Sequence, residues 1–150
     1  PTKMNETALH YAVNRGHINV VDFLVNECSS EVNINSVSKA WMTPLMAACD
    51  KGFFQIVVIL TKCENIELNC KDLYGRTALH IAALNGYSQI VSHLIELKGI
   101  DLNPIDKNGS TPLHLAAQSN KISSIKILVE KKGVDIKIKD NAIFFFLTIF

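Results

Sequence analysis

Little in this chain marks a catalytic centre, a membrane span or a disulfide framework. Its four cysteines, Cys28, Cys49, Cys63 and Cys70, form no C-x-x-C pair and no Cys/His grouping with zinc spacing. They read as small thiols in a reducing compartment, the cytoplasm or the nucleus. No run of about 20 apolar residues occurs, so no spanning helix is expected. No long basic run occurs either. The net charge is +1, from 15 basic and 14 acidic residues, which gives no argument for nucleic acid or for an anionic membrane, and neither is expected as a partner. The nucleophile elbow, the P-loop, H-E-x-x-H and G-x-G-x-x-G are all missing. Glu27 with Glu31, and Glu64 with Glu67, are ordinary solvated charges on which nothing polar converges. No catalytic residue, cofactor or metal ion is therefore expected.

What the chain does have is enough apolar residue to bury a core, 48% of 150 positions, and internal repetition. Thr77-Ala78-Leu79-His80-Ile81-Ala82-Ala83 recurs as Thr111-Pro112-Leu113-His114-Leu115-Ala116-Ala117. Weaker copies begin at Thr7 and Thr43. The four threonines are spaced by 36, 34 and 34 residues. Each is followed seventeen residues on by a leucine: Leu24, Leu60, Leu94 and Leu128. Asn33, Asn69, Asn103 and Lys137 follow nine residues later, which places the two extra residues of the first interval between Asn33 and Thr43. Fixed spacing with one localised insertion is the behaviour of stacked repeats.

Each unit reads as helix, turn, helix. Thr suits the N-cap, and Pro44 and Pro112 follow it at the first helical position, where a missing N–H costs nothing. The first helix is short and Ala-rich and ends at Gly16, Gly52, Gly86 or Asn120. A second helix carries amphipathic spacing, as in Ile90, Val91, Leu94 and Ile95. A loop with Asp72 and Gly75, or Asp106 and Gly109, then leads to the next Thr.

Motif, period and loop together resemble the ankyrin repeat over roughly residues 2–140. The resemblance implies an all-α solenoid of four helix-turn-helix units, about 2–35, 36–71, 72–105 and 106–139, with β-hairpin-like fingers. Stacking of units supplies the core that no unit has alone. His10, His80 and His114 recur in register, one per unit and about 10 Å apart by helix packing. They cannot share one metal ion, and a structural hydrogen bond between neighbouring units is the expected role. Met46 replaces that His in the second unit, and Cys49 the second Ala. Local loosening is expected there. His17 and His93 are expected to face solvent.

The resemblance also implies a non-catalytic module, acting as a monomer, that binds another protein through a concave face of finger tips and first helices. Position by position this selects Leu73, Tyr74, Arg76, Leu84 and Asn85 in the third unit. It selects Lys107, Asn108, Ser110, Gln118 and Ser119 in the fourth, and Lys39, Trp41, Met42, Asp50 and Lys51 in the second. The first offers Lys3, Glu6, Asn14 and Arg15. Trp41, Tyr74 and Arg76 rank first, since Trp, Tyr and Arg most often carry binding energy. A rival reading of Trp41 has it folded back to shield a longer second finger. Asp140 keeps phase, but residues 141–150 become an apolar, β-prone run where a fifth unit should begin. One reading is an apolar tail folded over the exposed end of the last unit; the other, favoured here with Pro1 as the first residue, is an aborted fifth repeat or truncation of a longer array. The rival to a free binding module is thus a structural or regulatory segment of a longer enzyme or channel, making intramolecular contacts.

Overall fold

The computed structural model describes residues 6–27 and 31–141. Lys3, and the apolar run from residue 142 onward, lie outside the described residues. Among the described residues there are eight α-helices and no strand, arranged as four antiparallel pairs. These are α1 (Ala8–Asn14) with α2 (Ile18–Asn26), α3 (Pro44–Lys51) with α4 (Phe54–Thr61), α5 (Ala78–Asn85) with α6 (Ser88–Leu94), and α7 (Pro112–Gln118) with α8 (Ile122–Glu130). The first helices α1, α3, α5 and α7 pack one on the next as an inner layer; α2, α4, α6 and α8 do the same behind them. None of the helices is long and apolar enough to cross a membrane.

The inner helices start where the threonines sit. Thr7, Thr43, Thr77 and Thr111 all have extended backbone at the N-cap. In three of the four units the His three residues on closes a capping box by bonding back to the N-cap. Gly86 ends α5 in the left-handed conformation at φ 79, and Asn120 takes the same region at φ 55 beyond α7. This reversal lets α6 and α8 fold back within two residues. Ala47, Ala48, Ala82, Ala83 and Ala116 are buried between inner helices, where a larger side chain would force the layer apart. Leu9, Leu45, Ile56, Leu60, Leu79, Ile90, Leu94 and Leu128 fill the space between the layers. The core is continuous through the stack.

A ladder of asparagines staples the outer edge. Asn35 donates through Nδ2 to the Asn65 carbonyl at 2.7 Å and accepts from Glu67 N–H at 3.0 Å. Asn69 repeats this with Gly99 and Asp101, and Asn103 with Gly133 and Asp135. This corrects the register expected from the sequence. The counterpart of Asn69 and Asn103 is Asn35, not Asn33. Asn33 instead accepts from Asn35 N–H, as Asp101 does from Asn103 N–H. The two extra residues therefore precede Asn33, in the connection after α2, and the second finger has ordinary length.

Candidate binding surface

With the register settled, the fingers superpose by number. Asp72 N–H donates to the Arg76 carbonyl and Gly75 N–H to the Asp72 carbonyl, both at 2.9 Å. Asp106, Gly109 and Ser110 repeat the pattern, and so do Ser38, Trp41 and Met42. In the third and fourth fingers the aspartate ties the turn internally. Asp72 Oδ1 accepts from the N–H groups of Tyr74 and Arg76 at 2.8 Å each. Asp106 Oδ1 accepts from those of Asn108 and Ser110 at 2.8 and 2.9 Å. Both carboxylates are buried by this work.

Trp41 occupies the place of Gly75 and Gly109, with φ 57. A bulky residue in the left-handed region costs about 1–2 kcal/mol. The indole does not fold back to shield the finger: Trp41 is 57% exposed. At Gly75 the next finger comes so close that an added Cβ would stand 3.0 Å from Lys107 N. That approach lets Lys107 N–H donate to the Tyr74 carbonyl at 3.0 Å. Asn141 N–H bonds the Asn108 carbonyl at 3.0 Å in the same way. No such bond joins Leu73 N–H to the Ala40 carbonyl, at the finger where Trp41 stands in place of the glycine. An open groove of ≈ 540 Å³ lies in this region, lined by Trp41, Lys71, Leu73, Gly75, Ile105 and Lys107, with Asp72 and Asp106 at its base.

The structure divides the selected residues into groups. Trp41, Leu73 and Lys107 share the groove. Tyr74 and Arg76 form a second unit. The Arg76 guanidinium carbon lies 4.8 Å from the Tyr74 ring centroid, and Nη2 and Nε reach Asp72 Oδ2 at 2.7 and 2.9 Å. Asp72 thus holds Arg76, and Arg76 props a Tyr74 that is 64% exposed. Asp50, Lys51 and Asn85 gather at the C-terminal ends of α3 and α5. Lys51 Nζ lies 3.8 Å from Asp50 Oδ2, and Asn85 Nδ2 makes a long 3.4 Å bond to the Asp50 carbonyl. Asn108, Gln118, Lys39, Asn14 and Arg15 are exposed, while Met42, Leu84, Ser119 and Glu6 are half-buried. Ser110 is buried, at 8% exposure. The reason is its backbone role: its carbonyl receives His80. Sequence reasoning passed over Ile105 and Lys71. Their signal was present, because Val37, Lys71, Ile105 and Lys139 all stand six residues before a motif position.

The recurring histidines are structural. His80 Nδ1 accepts from Thr77 N–H at 3.1 Å, and Nε2–H donates to the Ser110 carbonyl at 2.9 Å, across to the next unit. His10 does the same with Thr7 and the Met42 carbonyl. His114 accepts from Thr111 N–H at 3.2 Å. Burial holds the His80 pKa below the ordinary histidine value, outweighing the Ser110 bond that favours the charged form. Met46 keeps its own N–H bond to Thr43 Oγ1 at 3.3 Å but carries nothing to the Arg76 carbonyl. His93 is half-buried rather than solvent-facing. It lies 2.8 Å from Thr61 Oγ1 and edge-on to Phe54, between α4 and α6. Among the described residues no group of His, Cys, Asp and Glu could hold a metal ion. The free thiols are poor nucleophiles. Burial pushes Cys49 and Cys63 up, and burial with the Glu67 hydrogen bond pushes Cys70 up to about 11.

A sequence model of ankyrin repeats, built of three copies, matches residues 1–72 and 45–140. The chain belongs to the ankyrin repeat family. No curated protein matches it. Ankyrin repeats are generally non-catalytic protein-interaction modules. In this ankyrin array the capping Thr–His pairs maintain the scaffold, and the exposed side chains vary between copies.

Proposed function

We propose that this ankyrin array binds a partner protein through the face built from its fingers and inner helices. The observation that carries the reading is the Asp72–Arg76–Tyr74 chain. It fixes an exposed aromatic ring before any partner arrives. A preformed surface loses little side-chain entropy on association. Trp41 adds a second exposed ring on the neighbouring finger, and Asp50, Lys51 and Asn85 extend the surface onto α3 and α5. The free thiols Cys49, Cys63 and Cys70 suit a cytoplasmic or nuclear setting for such a module.

The test is to immobilise the chain, identify the protein it captures, and repeat capture with Trp41, Tyr74 and Arg76 replaced by Ala. Truncating an interface hot spot costs about 2 kcal/mol or more. Capture is expected to weaken by well over tenfold while the helical circular dichroism is kept. Undiminished capture by the helical triple variant overturns the assignment.

A further inference from the structure

We propose that the groove between Trp41 and the third and fourth fingers receives an extended acidic–aliphatic segment of the partner. This rests on the binding reading above and names the chemistry of what is bound. The first observation is a pattern on the fingers. Six and four residues before each motif position stand Val37 and Lys39, Lys71 and Leu73, Ile105 and Lys107, then Lys139 and Asn141. Residues two apart on an extended finger share a face. The stack therefore carries one aliphatic and one lysine per finger on three successive fingers, and a further lysine on the last. Leu73 is 45% and Ile105 49% exposed, and all four lysines are exposed.

The charge that meets a ligand there is positive. The two carboxylates lining the groove, Asp72 and Asp106, are buried; both oxygens of Asp72 are taken by backbone N–H groups and Arg76, and Oδ1 of Asp106 by the N–H groups of Asn108 and Ser110. Lys71 lies across the groove, donating to the Ile105 carbonyl at 2.9 Å, and Lys107 stands on its rim. The second observation is the conformation of Trp41. Glycine serves at this position in the next two fingers, closing one finger onto the other. Tryptophan there is strained, the inter-finger backbone bond is missing, and an indole stands as a wall of the groove. Backbone strain retained at an exposed aromatic is a mark of function rather than of packing.

The spacing sets the shape of the ligand. Fingers follow inner helices packed about 8–10 Å apart. A segment in the extended polyproline II conformation has three residues per turn and advances about 3.1 Å per residue, so every third residue returns to the same face and meets the next finger. Aliphatic residues at every third position would reach Trp41, Leu73 and Ile105 in turn, and acidic residues between them would meet Lys71 and Lys107.

The probe is a fluorescein-labelled peptide, Leu-Glu-Glu-Leu-Glu-Glu-Leu, followed by anisotropy. Trp41 is the single tryptophan of the chain and reports directly on the groove. Saturable binding is expected, weakened by salt, with Trp41 emission shifted to the blue. Lys71→Glu with Lys107→Glu should weaken it at least tenfold. Trp41→Gly should weaken it about fivefold or more and raise the melting temperature by about 2–4 °C. Lys126→Glu with Lys132→Glu, the same charge change at exposed positions away from the groove, should leave it within twofold. No saturable binding, unchanged affinity in the double lysine variant, or equal affinity for the same peptide with Lys in place of Glu overturns the proposal. So does tighter binding of a single-stranded oligonucleotide. Should the peptide fail while the Tyr74 and Arg76 substitutions still abolish partner capture, the groove assignment falls and the binding module stands.

Discussion

The joint between the third and fourth units and the joint between the second and third stack the same kinds of helix, more closely at the former, and use different ties. At the former, His80 reaches the Ser110 carbonyl, Lys107 N–H reaches Tyr74, and Asn103 clamps Gly133 and Asp135. At the latter, Met46 stands where the His would be and Trp41 where the Gly would be, and the two inner bonds are both gone. The outer edge remains: Asn69 clamps Gly99 and Asp101, and His93 bonds Thr61. Helix stacking thus persists without the inner hydrogen bonds, but more loosely, as expected where Met46 replaces the His. Apolar burial tolerates a thioether in place of a ring, since Met46 is as buried as Leu45. Directional bonds do not tolerate it.

His80→Met imposes the second unit's solution on the third and should have the largest effect. Thr77 N–H and the Ser110 carbonyl lose their partner in a buried site, at a cost of about 2–3 kcal/mol. Urea unfolding measures it, and a loss below about 0.5 kcal/mol would show the tie to be dispensable. The same substitution should flatten a pH dependence. Burial lowers the folded pKa of His80, so the unfolded chain takes up the proton first. The His80 contribution is complete above about pH 6.5 and is lost as pH falls below it towards the lowered folded value.

Gly75→Ala attacks the finger contact at the same joint. Its cost should exceed that of Gly99→Ala by about 1 kcal/mol. Both positions have positive φ, 79 and 88, but only at Gly75 does a Cβ meet backbone, 3.0 Å from Lys107 N, while Gly99 faces open space. Equal losses in thermal unfolding would remove the close approach as the reason for glycine. Met46→His runs the comparison in reverse. A ring bonded to Thr43 N–H and the Arg76 carbonyl should add about 1 kcal/mol. Destabilisation instead would mean the Met46 pocket has already repacked beyond what a ring can enter.

Much of the scaffold was readable in one dimension because its determinants are local. Thr as N-cap, His three residues later and Gly at the helix end act over one or two turns, and their spacing survives translation along the chain. The site was readable only in part. Tyr74 and Arg76 could be picked by residue type, but the buried Asp72 that orders them plays its part through side-chain geometry. Ser110 looked like a surface hydroxyl and is buried by its backbone role. Ile105 and Lys71 were overlooked because attention to the finger tip left out the strand-like run leading into it.

The amino-acid sequence by itself determined the repeat, its period, its helix pairs and the family to which they belong. These follow from short-range capping and from an apolar periodicity that any neighbouring unit can bury. Three things were left to tertiary structure. One is the placement of the two-residue insertion, since Asn33 and Asn35 are alike in sequence and only the amide bonds of Asn35 tell them apart. Another is the pairing of His80 with a carbonyl 30 residues away. The last is the groove, which brings Trp41 together with residues of the third and fourth fingers. Each depends on the distance between segments remote in the chain, and spacing along one strand of sequence carries no such distance.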